Sequence, residues 1–185
     1  MAKPAWGKWG SWEETQGFLG KEIGKSIGAD PVEKGSIRRW LEPKEFACPI
    51  HTDKTAAKGA GYNDIVAPAT MAVTYGIGPY WAPGDKQEQP GDEPKQINIP
   101  VIFDVPAPCT LSFATNIDIE FFEPMLLSDE ISCTSKLVAI THKELRVGKG
   151  AFLKQEDTYT NQRGEVVAVA ALDIFRFVPP AEETV

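Results

Sequence analysis

Two histidines stand in this 185-residue chain, His51 and His142. His51 lies in the stretch ACPIHTDKTAA, with Cys48 three residues before it and Asp53 two residues after it. A histidine changes protonation near neutral pH and can carry protons for a reacting group, so His51 is the candidate acid/base of the chain. Asp53 has the type and placement of a loop cap or surface carboxylate. His142, in ITHKELRVG, reads as an exposed loop histidine near a hairpin end. Cys48, Cys109 and Cys133 lack CxxC spacing and read as reduced thiols. No GxGxxG, Walker A, GxSxG or zinc-ligand spacing occurs, so no nucleotide, flavin or metal cofactor is expected.

The elements that would position His51 fall into three blocks. Residues 1 to 66 are mixed. They begin with a glycine-rich arm (1–17) carrying Trp6, Trp9 and Trp12, read as anchoring the terminus against its own domain. EKGSIRRWLE predicts a short helix with Ile37, Trp40 and Leu41 on its buried face and with Arg38 and Arg39 solvated. The second block opens at DIVAPATMAVTYGIGPYWAPG. Pro68 suits a first helical turn, and residues 69 to 77 are small or apolar on every side, so a buried helix is expected over 68–77. Residues 83–110, rich in proline, charge and turn formers, read as an inserted loop or lid.

The third block is β. In TNIDIEFFEP, Ile117, Ile119 and Phe121 alternate with Asn116, Asp118 and Glu120, the pattern of a half-buried strand. Antiparallel strands are expected over 113–123, 130–141, 150–160 and 165–178, with Gly164 at the last turn. An apolar helix followed by long strands solves the burial of both when the sheet wraps the helix. A hot-dog fold fits this α+β pattern, as would other α+β layouts.

Bulk numbers bound the rest. A chain of this length fits one domain, 1–185, and buries roughly 70% of its unfolded surface without staples. Nineteen basic against 26 acidic side chains give −7, which argues against a nucleic-acid or anionic-membrane surface. There is no apolar run of roughly 20 residues and no apolar leader segment at the start, so a cytoplasmic location is expected.

Five stretches, VEKGSIRRW, CPIHTDKTAA, GYNDIVAPATM, FFEPMLLSDEIS and TNQRGEVVAVA, resemble the MaoC-like hydratases and dehydratases, in particular the N-terminal MaoC dehydratase domain branch. They keep that family's order across roughly residues 18 to 178. The resemblance implies a hot-dog fold and pairing of two hot dogs into one continuous sheet. It also implies acyl-CoA or acyl-carrier thioester substrates, with no cofactor beyond the thioester itself. Active members use a loop of the type Asp-x-Asn-Pro-aliphatic-His, because hydration of an enoyl thioester needs an acid/base pair holding one water, and a backbone N–H for the enolate oxygen. On that pattern CPIH keeps His51 in register, Cys48 replaces the asparagine, and Phe46 occupies the aspartate position. Glu45 is one residue off, which redirects its side chain. The resemblance places the thioester-oxygen donor at the Ala69 N–H and substrate contacts at Pro68, Thr70 and Met71. Ser128 stands where the family has glycine, before Asp129, which reads as a turn or strand-start residue.

The site is therefore half kept. Three functions remain open: the degenerate subunit of a hetero-oligomeric enoyl-CoA hydratase, paired with a catalytic hot-dog subunit; a self-sufficient homo-oligomeric hydratase or dehydratase using His51; or a non-catalytic acyl-thioester binding protein.

Overall fold

The computed structural model describes residues 7–85 and 102–180. Five strands among these residues form one antiparallel sheet: β1 (Glu22–Ile27), β2 (Leu111–Phe121), β3 (Ser132–Leu145), β4 (Gly148–Thr160) and β5 (Val166–Val178), in the order β1-β3-β4-β5-β2. Strands β2 to β5 stand within a few residues of the sequence expectation. β1 was not expected. Its run EIGKSI carries Gly24 and two charges, and its pairing with β3 shifts register between Glu22 and Gly24. A glycine and a bulge erase the alternation by which a strand is read.

Short helices accompany the sheet: α1 (Trp12–Gln16), α2 (Lys34–Leu41), α3 (Lys54–Gly59) and α4 (Ala72–Tyr75), the last entered through a 3-10 turn, Ala69–Met71. α2 forms as expected, with the Glu33 carboxylate accepting from the Ser36 N–H at 2.7 Å and with Ile37 and Leu41 buried. The expected central helix, 68–77, is corrected to a seven-residue segment. Met71, Ala72 and Tyr75 are buried, while Ala69, Thr70 and Thr74 are exposed. Gly76 follows as its C-cap, and the backbone there lies so close to the Tyr159 ring that an added Cβ would sit 2.7 Å from it. One sheet in a single domain covers only one side of this segment, so the all-apolar pattern overstates its burial here.

Two clusters fill the concave face of the sheet. α2 and the 69–75 segment pack on Cys133, Tyr159, Ala168 and Ala170. The end of the expected insertion, from Ile102 to Val105, packs on Leu137, Leu153 and Ile174. Residues 102–110 are irregular, as a loop should be, but they are tied into the core and are no lid; residues 86–101 lie outside the described residues. Arg176, 0% exposed, is the tie. Its guanidinium donates to the carbonyls of Ile102, Val105 and Lys8, so the arm and the 102–105 segment share one buried cation. Trp9 bridges to Ala107 and Trp12 meets His142 edge to face, which anchors the arm as expected; Trp6 lies outside the described residues.

A second tie closes the other end. Ser128 takes φ +71°, the left-handed conformation that favours glycine. Asp129 follows, buried, and its carboxylate accepts from Arg163 at 2.7 Å, Gln162 at 3.0 Å and the Leu126 N–H at 2.8 Å. The turn reading of Asp129 thus covers one contact of three, and the rest clip the β4–β5 turn to the segment before β3. Burial pushes this carboxyl up, but Arg163, the Leu126 N–H and Gln162 outweigh it and hold it below its usual value. A lowered folded pKa gives stability that is present above the unfolded pKa and lost as pH falls through the folded one. Asp129→Asn is therefore expected to lose about 1–3 kcal/mol at pH 7 and progressively less in acid. Urea unfolding of both proteins along a pH series checks this; a pH-independent difference would contradict it.

Candidate active site

The His51 loop is built by its neighbours. Cys48 is extended, and Pro49 opens a 3-10 turn, Pro49–His51, at a position where a backbone N–H would lack a partner anyway. The turn closes through Asp53 N–H to Pro49 O at 2.8 Å, and Asp53 then caps α3 by accepting from the Thr55 N–H at 2.7 Å. Asp53 is the expected cap, and its carboxylate is engaged away from His51.

Two hydrogen bonds lace this turn to the strand-like segment before the helix. The Val66 N–H donates to Ile50 O at 3.2 Å, and His51 Nδ1 lies 2.6 Å from Val66 O. A carbonyl only accepts, so Nδ1 carries the proton and Nε2 of the neutral ring keeps its lone pair. The segment is held in turn by Ala67 N–H to Met125 O at 2.8 Å and Leu127 N–H to Ile65 O at 3.0 Å. Loop, segment and the 125–127 stretch thus lie in three successive layers.

A cleft of about 280 Å³ opens over this junction, lined by His51, Tyr62, Ala69, Phe121, Glu123 and Met125, among others. Ala69 is the first residue of its 3-10 turn, after Pro68 at φ −52° and ψ 129°, and no described residue accepts from its N–H. His51 and the Ala69 donor are therefore brought together. Pro68, Thr70 and Met71 do not line the cleft: Pro68 is buried, Thr70 is exposed, and Met71, at 1% exposed, is core.

Where the dyad carboxylate would stand there is Phe46, its ring centroid 5.8 Å from that of His51. Glu45 sits at φ +48° just before it, exposed, and does not line the cleft. The carboxylate that does line it is Glu123, which sequence reasoning missed together with Tyr62. Its signal was a lone charge in the apolar run FFEPM, 72 residues beyond His51. His142 belongs elsewhere. It lies on β3, correcting the loop expectation, with its ring 4.7 Å from Trp12. Among the described residues no group of His, Cys, Asp or Glu is arranged to hold a metal, and no helix is long and apolar enough to cross a membrane.

The antiparallel sheet, the short helical segment on its concave face, and the histidine loop at the start of that segment define a hot-dog domain. The chain belongs to the family described as FAS1-like, dehydratase domain region, whose model matches residues 18–170. It is similar to a probable enoyl-CoA hydratase alpha subunit of Thermomonospora curvata, at 29% identity over 173 residues, covering 92% of this chain and 53% of that protein. The chain spans about half the length of that relative, and 40% of a second one covered at 28% identity. Among solved structures it is similar to a chain of the ChsH1–ChsH2 complex from Mycobacterium tuberculosis, with TM-score 0.69 and 21% identity, covering 91% of this chain and 96% of that one. The MaoC-like dehydratase from Rhodospirillum rubrum gives TM-score 0.57 and 20% identity, with 85% and 93% covered.

The tautomer of His51 checks the geometry directly. Nitrogen-15 shifts of the neutral ring are expected to report the proton on Nδ1. A proton on Nε2 would contradict the bond to Val66.

Proposed function

We propose that this chain is the degenerate subunit of a hetero-oligomeric enoyl-CoA hydratase, a hydro-lyase acting on acyl thioesters, paired with a second hot-dog subunit that carries the intact dyad. The observation that carries this reading is Phe46 beside His51: a phenyl ring cannot take a proton from water, and the local carboxylates Glu45 and Asp53 do not reach the cleft. His51, bonded to Val66, then serves as an anchor of the loop. The names of two relatives support the division of labour, one being called an alpha subunit and the other a two-protein complex.

The pairing surface follows from the sheet edges. β1 is short, bulged and charged, a protected edge. β2 is 11 residues long, pairs only with β5 among the described residues, and exposes Phe113, Ile117 (52%) and Phe121. A long apolar edge strand is where a second sheet joins, so the partner docks along β2. A partner's alpha-carbon chemistry would then take place beside a wall supplied by this chain.

A second reading keeps the chemistry here, with Glu123 supplying the carboxylate to the His51 cleft. One measurement separates the two: single-turnover hydration of enoyl-CoAs by this chain alone, its partner alone, and both together. The degenerate-subunit reading expects no turnover from this chain alone. It also expects His51→Ala to slow the assembled complex by less than about tenfold, since a catalytic acid/base contributes roughly 10²–10⁴-fold. Phe46→Asp alone should not create an active chain, because the surrounding shell was not built for it. A loss of about a thousandfold in His51→Ala, with assembly intact, returns the catalysis to this chain.

A further inference from the structure

The two sides of β2 differ in chemistry. Ile117, Ile119 and Phe121 face the concave side, where Ile119 packs on the core, Ile117 borders the same small cavity as Val73, and Phe121 walls the His51 cleft. Asn116, Asp118 and Glu120 alternate with them on the convex side, all exposed. Asn116 Nδ2 donates to the Asp118 carboxylate at 2.7 Å and so holds it on that side. Neither acid has a cationic partner among the described residues. Their cross-strand neighbours on β5 are Ala171 and Val169, and β4 adds Glu156 and Thr158 to the same two rows. Lys136 lies three strands away from Asp118, about 14 Å, opposite Glu156. Lys154, one row along, is taken by Asp173 at 4.0 Å.

This pattern decides what the open edge of β2 can accept. A second copy of the chain would supply an identical strand. The antiparallel register that joins the apolar stripes, centred on Ile119, sets Asp118 of each copy directly opposite Glu120 of the other. Centred on Ile117 instead, the Asp118 side chains of the two copies become diagonal neighbours at roughly 7–8 Å. A parallel copy in register lays each acid beside its twin. Four carboxylates would thus gather on one patch of the joint convex face, in a chain that already carries −7. Like charges directly opposite across a ladder are destabilising, and sliding by one residue to separate them turns the apolar stripe to the wrong face. A strand bearing lysine or arginine at those positions meets no such conflict. Its cations pair with Asp118 and Glu120 along a seam whose inner side is apolar.

We propose that Asp118 and Glu120 choose the partner of β2: they turn away a second copy of this chain and accept the edge strand of a different hot-dog subunit, one with basic side chains on its convex side. The proposal rests on the pairing along β2 described above and specifies the kind of strand that joins there. The work divides between the two sides of one strand. The apolar inner stripe supplies contact area that any hot dog could use. The acidic outer row supplies the discrimination, which charge complementarity gives more readily than raw affinity. A chain that keeps the histidine loop without its carboxylate gains nothing from pairing with itself, since both halves of that assembly would hold Phe46 beside His51.

The test uses the chain itself as the probe, with the charge-reversed double variant Asp118→Lys, Glu120→Lys standing in for a basic partner. Both positions are exposed on the convex side, so the fold does not depend on them. Sedimentation velocity over a concentration series compares the unaltered chain, the charge-reversed chain and an equal mixture of the two. The mixture is expected to associate at least about tenfold more tightly than either protein alone, and added salt should weaken it. The neutral double variant Asp118→Asn, Glu120→Gln keeps the shape and should self-associate more tightly than the unaltered chain. When the native assembly is purified through this chain, the charge-reversed chain should retain at most about a tenth of the second subunit that the unaltered chain retains. A mixture no tighter than the unaltered chain alone, whether both associate or neither does, overturns the proposal. So does a charge-reversed chain that retains the second subunit fully. In either case a different hot-dog subunit held by the unaltered chain leaves the pairing reading standing. Recovery of the unaltered chain as a self-paired dimer, with no other hot-dog subunit, overturns both.

Discussion

An eleven-residue strand that, among the described residues, pairs on one side only is the constraint on which the rest of the structure depends. β2 closes the sheet against β5 and turns its other edge, with Phe113, Ile117 and Phe121, to solvent. Unpaired backbone groups flanked by exposed aromatic and branched side chains are a template for another strand. The consequences run inward. The helical segment is buried on one side only, and the cleft at His51 has walls from the end of β2 and the residues just after it. Under the proposed pairing such a domain is half of a composite site, which accounts for a chain that keeps the histidine loop while its carboxylate position holds phenylalanine.

Two ties hold this open half in shape. At one end Arg176, with three carbonyls and no carboxylate among the described residues, joins the arm to the 102–105 segment. At the other, Asp129 and Arg163 clip the β4–β5 turn beneath the stretch that supports Val66 and Ala67. Neither touches the cleft. The second fixes the stretch around Met125–Leu127 that hydrogen-bonds Ile65 and Ala67, so the segment leading to the Ala69 N–H and bonded to the His51 ring is held in part by a buried carboxylate some distance along the chain.

Much of this was legible in the sequence, for identifiable reasons. The strands β2 to β5 could be read because period-two alternation survives wherever one face is buried. β1 could not, because Gly24 and a register shift break that period over six residues. His51 and Ala69 could be placed together because their surrounding motifs resemble a family with a fixed loop. Pro68, Thr70 and Met71 were carried with Ala69 by adjacency, and a 3-10 turn sends successive side chains to different sides, so only Ala69 lines the cleft. Glu123 and Tyr62 were not legible, since each becomes part of a site only when segments distant in the chain meet.

The central claim is that β2 is an interface between two hot dogs. Amide hydrogen exchange along Leu111–Phe121 tests it most directly, comparing the native assembly purified through this chain with the same chain held as a dilute monomer. Alternate amides already bonded to β5 should be slow in both. The intervening, outward-facing amides should exchange at least about a hundredfold more slowly in the assembly, as edge groups do once a partner strand satisfies them. A native protein that is a stable monomer, or a β2 that exchanges identically in both states, would contradict the account.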